Sequence, residues 1–137
     1  MKTVLVTGAN GQLGNSIYAR ISSIPAIIFF FTDIDTLDIC DKEAVRKYVL
    51  ENDVQYVMNC AAYTAVDKAE DNVELCDRLN HLAPGYWLRP YNPGESLIQV
   101  STDYVFDGSA HVPYGEGQPL VRIRCMVRQS WPENRKL

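Results

Sequence analysis

Residues 3–17 read "TVLVTGANGQLGNSI", and few stretches of this length constrain a fold as tightly. The first half is short, β-branched and almost continuously apolar, the pattern of a strand covered on both faces. It runs without a linker into a segment where Leu13, Ile17 and Ile21 recur at helical spacing. Gly8, Gly11 and Gly14 occupy the step between the two. A strand that turns at once into a helix needs backbone freedom at the corner, and glycine provides it.

The same alternation continues along the chain. "AIIFFFTD" predicts a second buried strand, and "DKEAVRKYVLEN" an amphipathic helix with Asp41 as N-cap and Ala44, Val45, Tyr48 and Val49 on one side. "VQYVMNC" predicts a third strand, "AVDKAEDNVELCDRLNHLAPGY" a long helix, and "SLIQVS" a fourth strand. The fold class that follows is α/β: a partial Rossmann-type, doubly wound parallel sheet of about four strands with helices on both faces. The expected strand order is 3-2-1-4, which sets the fourth strand beside the first at the topological switch point.

Charge divides the chain in two. Residues 1–117 carry 8 basic and 16 acidic residues, whereas residues 118–137 carry 5 basic and 1 acidic. An acidic body gives no electrostatic reason to expect nucleic acid or an anionic membrane as partner. Cys40, Cys60, Cys76 and Cys125 form no CxxC pair, and Cys60, ending an apolar run, reads as a small buried hydrophobe. His81 and His111 have no evident co-ligand and read as surface or loop residues. No apolar run reaches membrane-span length and "MKTVLVTG" is too short for a signal peptide, so the expected compartment is the cytoplasm.

The spacing Gly8-x-x-Gly11-x-x-Gly14, between strand and helix, is the context of a dinucleotide fingerprint. Gly8 makes the tight turn, Gly11 admits a pyrophosphate to the backbone, and Gly14 lets the helix pack closely on the sheet. Asp33, 19 residues beyond Gly14 at the end of the second strand, suits the ribose hydroxyls of an adenosine. No Lys or Arg follows it in "DIDTLD", which favours NADH slightly over NADPH. The fourth strand delivers Ser101, Thr102 and Asp103 toward the glycine turn. A hydroxyl there can hydrogen-bond a carbonyl undergoing reduction, although Thr102 is far too weak an acid to be the proton donor.

Taken together, "VLVTGANGQLG", "LDICD", "NCAAYTAVDKAE", "LIQVSTDYVFDG" and "PYGE" resemble the dTDP-4-dehydrorhamnose reductase family of extended short-chain dehydrogenase/reductases. The resemblance covers residues 1–117. It implies NAD(P)H-dependent reduction of a 4-keto nucleotide sugar to dTDP-L-rhamnose, with a homodimer compatible with the full-length parent. It also implies that Asn10, Gly11, Gln12 and Leu13 hold pyrophosphate and that Asp33 holds the ribose. Asp38 and Ile39 would line the adenine side, and Ala61, Ala62, Tyr63 and Thr64 the nicotinamide side. Thr102 matches the hydroxyl member of the catalytic triad, and Asp103 touches substrate. Mg2+ belongs, if anywhere, to the remainder of a full-length enzyme and not to this region. The rival readings are a non-catalytic dinucleotide-binding regulatory subunit, such as that of methionine adenosyltransferase, and another extended short-chain epimerase or dehydratase.

The family also uses a Tyr-x-x-x-Lys pair, and none follows Thr102. The tail "LVRIRCMVRQSWPENRKL" has no periodicity, and the genetic code suggests why. Read from the third base of each codon, Met126 into Val127 forces Gly and Trp131 into Pro132 forces Ala. The neighbouring positions then permit Val-Tyr-Gly-x-x-Lys-Leu-Ala-Gly-Glu. The expectation is a partial nucleotide-binding domain at 1–117, an out-of-frame tail at 118–137, a missing C-terminal substrate domain and an inactive chain. The competing reading of the tail is a basic arm. A weaker instance of the same shift is readable in "WLRPYNP", where two prolines interrupt an expected helix end.

Overall fold

The computed structural model describes residues 1–118, apart from 22, 23, 66, 67, 69, 70, 88–95, 103–105, 107 and 116. Along the chain come β1 (Lys2–Thr7), α1 (Gln12–Ile21), β2 (Ile27–Thr32), α2 (Lys42–Glu51) and β3 (Tyr56–Asn59). Then follow α3 (Val73–Asp77), a wide π-type stretch (Arg78–Leu82), α4 (Ala83–Trp87) and β4 (Ser96–Gln99). All sheet pairings are parallel, as the apolar strands and intervening helices require.

The strand order is β2-β1-β3-β4, which corrects the expected 3-2-1-4. β2 pairs along one edge of β1, and β3 takes the other, with Val4 opposite Tyr56 and Thr7 opposite Asn59. β1 then has no edge left, so β4 pairs with β3 instead. The chain reverses direction of travel between β2 and β3, and the switch point lies where β1 meets β3. The order also explains burial. Central β1 is buried from Thr3 to Thr7, whereas β2 is an edge strand in which only Thr32 is buried, so "AIIFFFTD" is not the fully covered strand expected.

Helices lie on both faces, and β2 reports this by alternation. Phe31 meets Tyr18 of α1 edge-on at 5.1 Å, while Phe30 meets Tyr48 of α2 at 6.3 Å on the opposite side. The main core forms on the α2/α4 face from Leu5, Val45, Val49, Val57, Ala83 and Trp87, among others. α2 starts where expected: Asp41 accepts hydrogen bonds from the N–H groups of Glu43 and Ala44, both at 3.0 Å. α1 is less buried than its apolar spacing suggests, with Gly14 its one buried residue and Leu13 43 % exposed.

Of the long helix expected from Ala65, residues 66, 67, 69 and 70 lie outside the described residues; α3 starts at Val73, after Asn72, and the helical stretch from there is not regular. Pro84 accounts for the irregularity. It has no N–H to offer, and its ring would collide with the carbonyl four residues back, at Asn80. The backbone widens there, and the N–H of Ala83 bonds back five residues to the carbonyl of Arg78. His81 sits in this stretch, half-buried and 3.1 Å from the Asp77 carboxylate, rather than in a loop.

Candidate functional site

β1 ends at Thr7, and Gly8 turns the chain with a φ of +64°. That conformation suits glycine, and the surroundings demand it a second time. A Cβ on Gly8 would lie 2.7 Å from the backbone nitrogen of Ala61, just after β3. A Cβ on Gly14 would lie 2.5 Å from the Gly8 carbonyl oxygen and 2.6 Å from that of Ala9. Gly14 therefore lets α1 close on the turn itself, a correction to the expectation that it admits the helix to the sheet. The result is a backbone cradle at a helix N-terminus, where N–H groups and the positive dipole end favour an anion.

Asp33 ties this cradle to β2. Its Oδ2 accepts from the N–H of Asn10 at 2.8 Å and its Oδ1 from the N–H of Ile34 at 2.8 Å. The N–H of Ala9 donates to the Thr32 carbonyl at 3.0 Å beside it. A carboxylate offers about four acceptor positions, so both oxygens keep capacity for ligand hydroxyls. Asp38 accepts from the N–H of Cys40 at 2.8 Å. Burial, reinforced by the Asp38 carboxylate, pushes the Cys40 thiol up from its ordinary value, and burial alone does the same for half-buried Cys60. Both thiols are thus poor nucleophiles.

The opposite wall is built from side-chain amides. Asn80, buried within the π-type stretch, accepts from the N–H of Tyr63 at 2.8 Å and donates to its carbonyl at 3.2 Å. One side chain thereby fixes the loop Ala61–Thr64. Beneath it, the Thr7 hydroxyl donates to Asn59 Oδ1 at 2.5 Å, and Asn59 Nδ2 donates to Gln99 Oε1 at 2.8 Å. Asn59, Asn80 and Gln99 escaped the sequence reading. Asn80 carried a usable signal, an amide four residues before a helical proline.

Between these walls runs a crevice of roughly 900 Å³ at the carboxyl ends of the strands, large enough for a cofactor. Gly8, Asn10, Gly11, Gln12, Leu13 and Asp33 line one side, with Asp38 and Ile39 below. Ala61, Ala62, Tyr63 and Thr64 line the other, and Ser101 and Thr102 close the far end. Gly14 stands behind the wall, and Asp103 lies outside the described residues. Thr102 follows a strand two positions from β1, not adjacent to it, so it faces the glycine turn across β3. Among the described lining residues, the charged ones are Asp33 and Asp38. Phosphate at the cradle would thus be held by backbone dipoles, and a second phosphate near Asp33 would meet a carboxylate.

A family model described as "RmlD substrate binding domain" matches residues 1–121. The chain is 40% identical over 118 residues to a probable dTDP-4,6-dihydroxy-2-methyloxan-3-one 4-ketoreductase of Streptomyces antibioticus, covering 84% of this chain and 39% of that one. A crystal structure of a dTDP-4-dehydrorhamnose reductase from Clostridium acetobutylicum superposes with a TM-score of 0.86 at 36% identity, covering 93% of this chain and 46% of that one. A Bacillus anthracis dTDP-4-dehydrorhamnose reductase in complex with NADP superposes with a TM-score of 0.84 at 31% identity, covering 95% and 47%. The chain therefore spans less than half the length of each of these proteins.

Proposed function

The chain belongs to the family described as RmlD substrate binding domain, and from that premise we propose that it is the dinucleotide-holding part of a reductase acting on dTDP-4-dehydrorhamnose. The family is one of NAD(P)-dependent reductases. What supports the reading is one continuous crevice running from Asp33 past the glycine turn to Thr102. The residues fit the group: the cradle excludes any Cβ at Gly8 or Gly14, and Asp33 retains acceptor capacity. Bound there, the dinucleotide supplies a hydride to the keto carbon of the sugar.

The rest is the work of this chain's own residues. Asn10 to Leu13 hold the pyrophosphate, with the N–H groups of Gln12 and Leu13 at the start of α1 turned to it, since those of Asn10 and Gly11 are taken by Asp33 and by the Gly8 carbonyl. Asp33 accepts from the ribose hydroxyls, and Ala61 to Thr64 flank the nicotinamide. The Thr102 hydroxyl donates a hydrogen bond to the keto oxygen, orienting it without surrendering its proton. Asp103, which lies outside the described residues, touches substrate. The proton must come from a stronger acid, and residues 103–137 hold no Tyr-x-x-x-Lys to supply it. The chain as written therefore binds dinucleotide without turning over substrate, which is also what a non-catalytic binding subunit would do. The nucleotide sequence encoding residues 118–137 separates the two, because a shifted frame spelling Tyr-x-x-x-Lys marks an enzyme. Among the described residues no helix is long and apolar enough to cross a membrane.

Calorimetric titration with NADH and NADPH tests the binding. NADH is expected to bind more tightly, because Asp33 repels a 2′-phosphate. Asp33→Asn should weaken NADH about tenfold, roughly the 1.4 kcal/mol of one charge-assisted hydrogen bond. It should also narrow or reverse the preference against NADPH. Absence of binding by either cofactor to the folded chain would refute the proposal.

A further inference from the structure

The crevice floor changes character abruptly at its last rung. One step below, Leu5, Val57 and Leu97 stand side by side in register, and all three belong to or pack on the apolar core. Two residues on, the same face carries Thr7, Asn59 and Gln99, again in register. Asn59 is fully buried. Packing alone would accept an aliphatic side chain there, and a buried amide is tolerated only with its partners supplied.

The partners form one directed chain. The Thr7 hydroxyl donates to Asn59 Oδ1, Asn59 Nδ2 donates to Gln99 Oε1 at 2.8 Å, and Gln99 Nε2 donates to the Val100 carbonyl at 3.0 Å. It starts one residue before Gly8 and ends on the peptide that leads into Ser101 and Thr102. Backbone pairing is weakest at the same place. The N–H of Val100 reaches the Asn59 carbonyl only at 3.5 Å, and β4 is a four-residue edge strand with three exposed positions. Side chains hold the end of β4 where the ladder gives out, and bonds in such a chain polarise one another.

We propose that Thr7, Asn59 and Gln99 are positioning residues whose hydrogen-bond relay sets the Ser101–Thr102 wall at a fixed distance from the glycine turn. The inference rests on the dinucleotide reading for its consequence. With the adenosine end at Asp33, the nicotinamide end lies toward Thr102, so the relay governs that end alone. A general structural prop would affect both ends.

The test uses the full chain with Gln99→Met, Thr7→Val and Thr7→Ser, each titrated with NADH and with ADP-ribose, which lacks the nicotinamide. Gln99→Met and Thr7→Val should each weaken NADH about fivefold, in the range of one lost hydrogen bond. ADP-ribose affinity should stay unchanged, while the melting temperature should fall in both variants, because buried Asn59 loses a partner. Thr7→Ser, which keeps the hydroxyl, should bind as the unaltered chain does, and the double variant should lose no more than either single. Equal weakening of both ligands, or of neither, would overturn the proposal. Hydrogen exchange at the amides of residues 100–102 separates the two ideas: faster exchange in Gln99→Met supports the relay even if the unaltered chain binds no dinucleotide. Unchanged exchange sinks it.

Discussion

The two walls of the crevice are held by different means. The wall made by β1, α1 and β2 is held mainly backbone against backbone: Gly14 against Gly8 and Ala9, and the Ala9 N–H on the Thr32 carbonyl, with the Asp33 carboxylate taking the Asn10 N–H and Gly8 pressed against Ala61 of the facing wall. The wall made by β3, the π-type stretch and β4 is held by amide side chains, with Asn80 on Tyr63 and Asn59 on Gln99. Backbone contacts leave almost no choice of residue, because only glycine fits. Amide contacts leave more choice but must find every partner, or a buried polar group is stranded. The first wall is rigid by exclusion and the second by satisfaction.

The sharpest way to break this contrast is Gly8→Ala. A Cβ there meets Ala61 N at 2.7 Å and two further backbone atoms inside 3.0 Å, on a backbone with φ of +64°. No flexible side chain can yield, so either the turn or the β3 end must shift. Strain and overpacking together should cost about 3–5 kcal/mol, read by urea unfolding. A loss below about 1 kcal/mol would mean that the backbone wall is softer than its contacts imply.

Asn80→Leu probes the second wall at a smaller scale. Leucine fills a similar volume, so little packing is lost, but the N–H and C=O of Tyr63 both lose their partner. The expected destabilisation is about 2–3 kcal/mol. NADH affinity should fall with it, because Tyr63 and its neighbours line the crevice. Asn80→Asp keeps the acceptor for the Tyr63 N–H and should recover part of the loss. If Leu and Asp variants behave alike, the amide is not what fixes the loop.

The contrast also explains what could be read from the sequence. The glycine spacing, the place of Asp33 at a strand end and the Asp41 cap are local patterns that spacing alone expresses, although what Gly8 and Asp33 meet, Ala61 and Asn10, lies 53 and 23 positions away. The amide wall joins residues 17, 40 and 52 positions apart, and no spacing rule links Tyr63 to Asn80 or Asn59 to Gln99. Strand order failed for a similar reason. Apolar runs announce strands, but which edge of β1 each occupies depends on which edges remain open. The helix after β3 is irregular although its amphipathic pattern runs through the irregularity, because Pro84 near its end cannot continue the regular ladder. The family resemblance supplied Tyr63 and Thr64 as site residues; the geometry supplied the residues that hold them.

The smallest expected effect is a control on both walls. Asp41→Ala removes the cap of α2, whose carboxylate accepts from Glu43 and Ala44. The loss should be about 1 kcal/mol of stability, measurable as a small fall in urea midpoint. The cap stands two residues beyond Ile39, which lines the crevice, and the Asp41 N–H donates to the Asp38 carbonyl at 3.0 Å. That backbone bond survives the substitution, so NADH affinity should not change. A drop in affinity matching the drop in stability would instead join α2 to the crevice as one unit, and the division into two independently held walls would have to be abandoned.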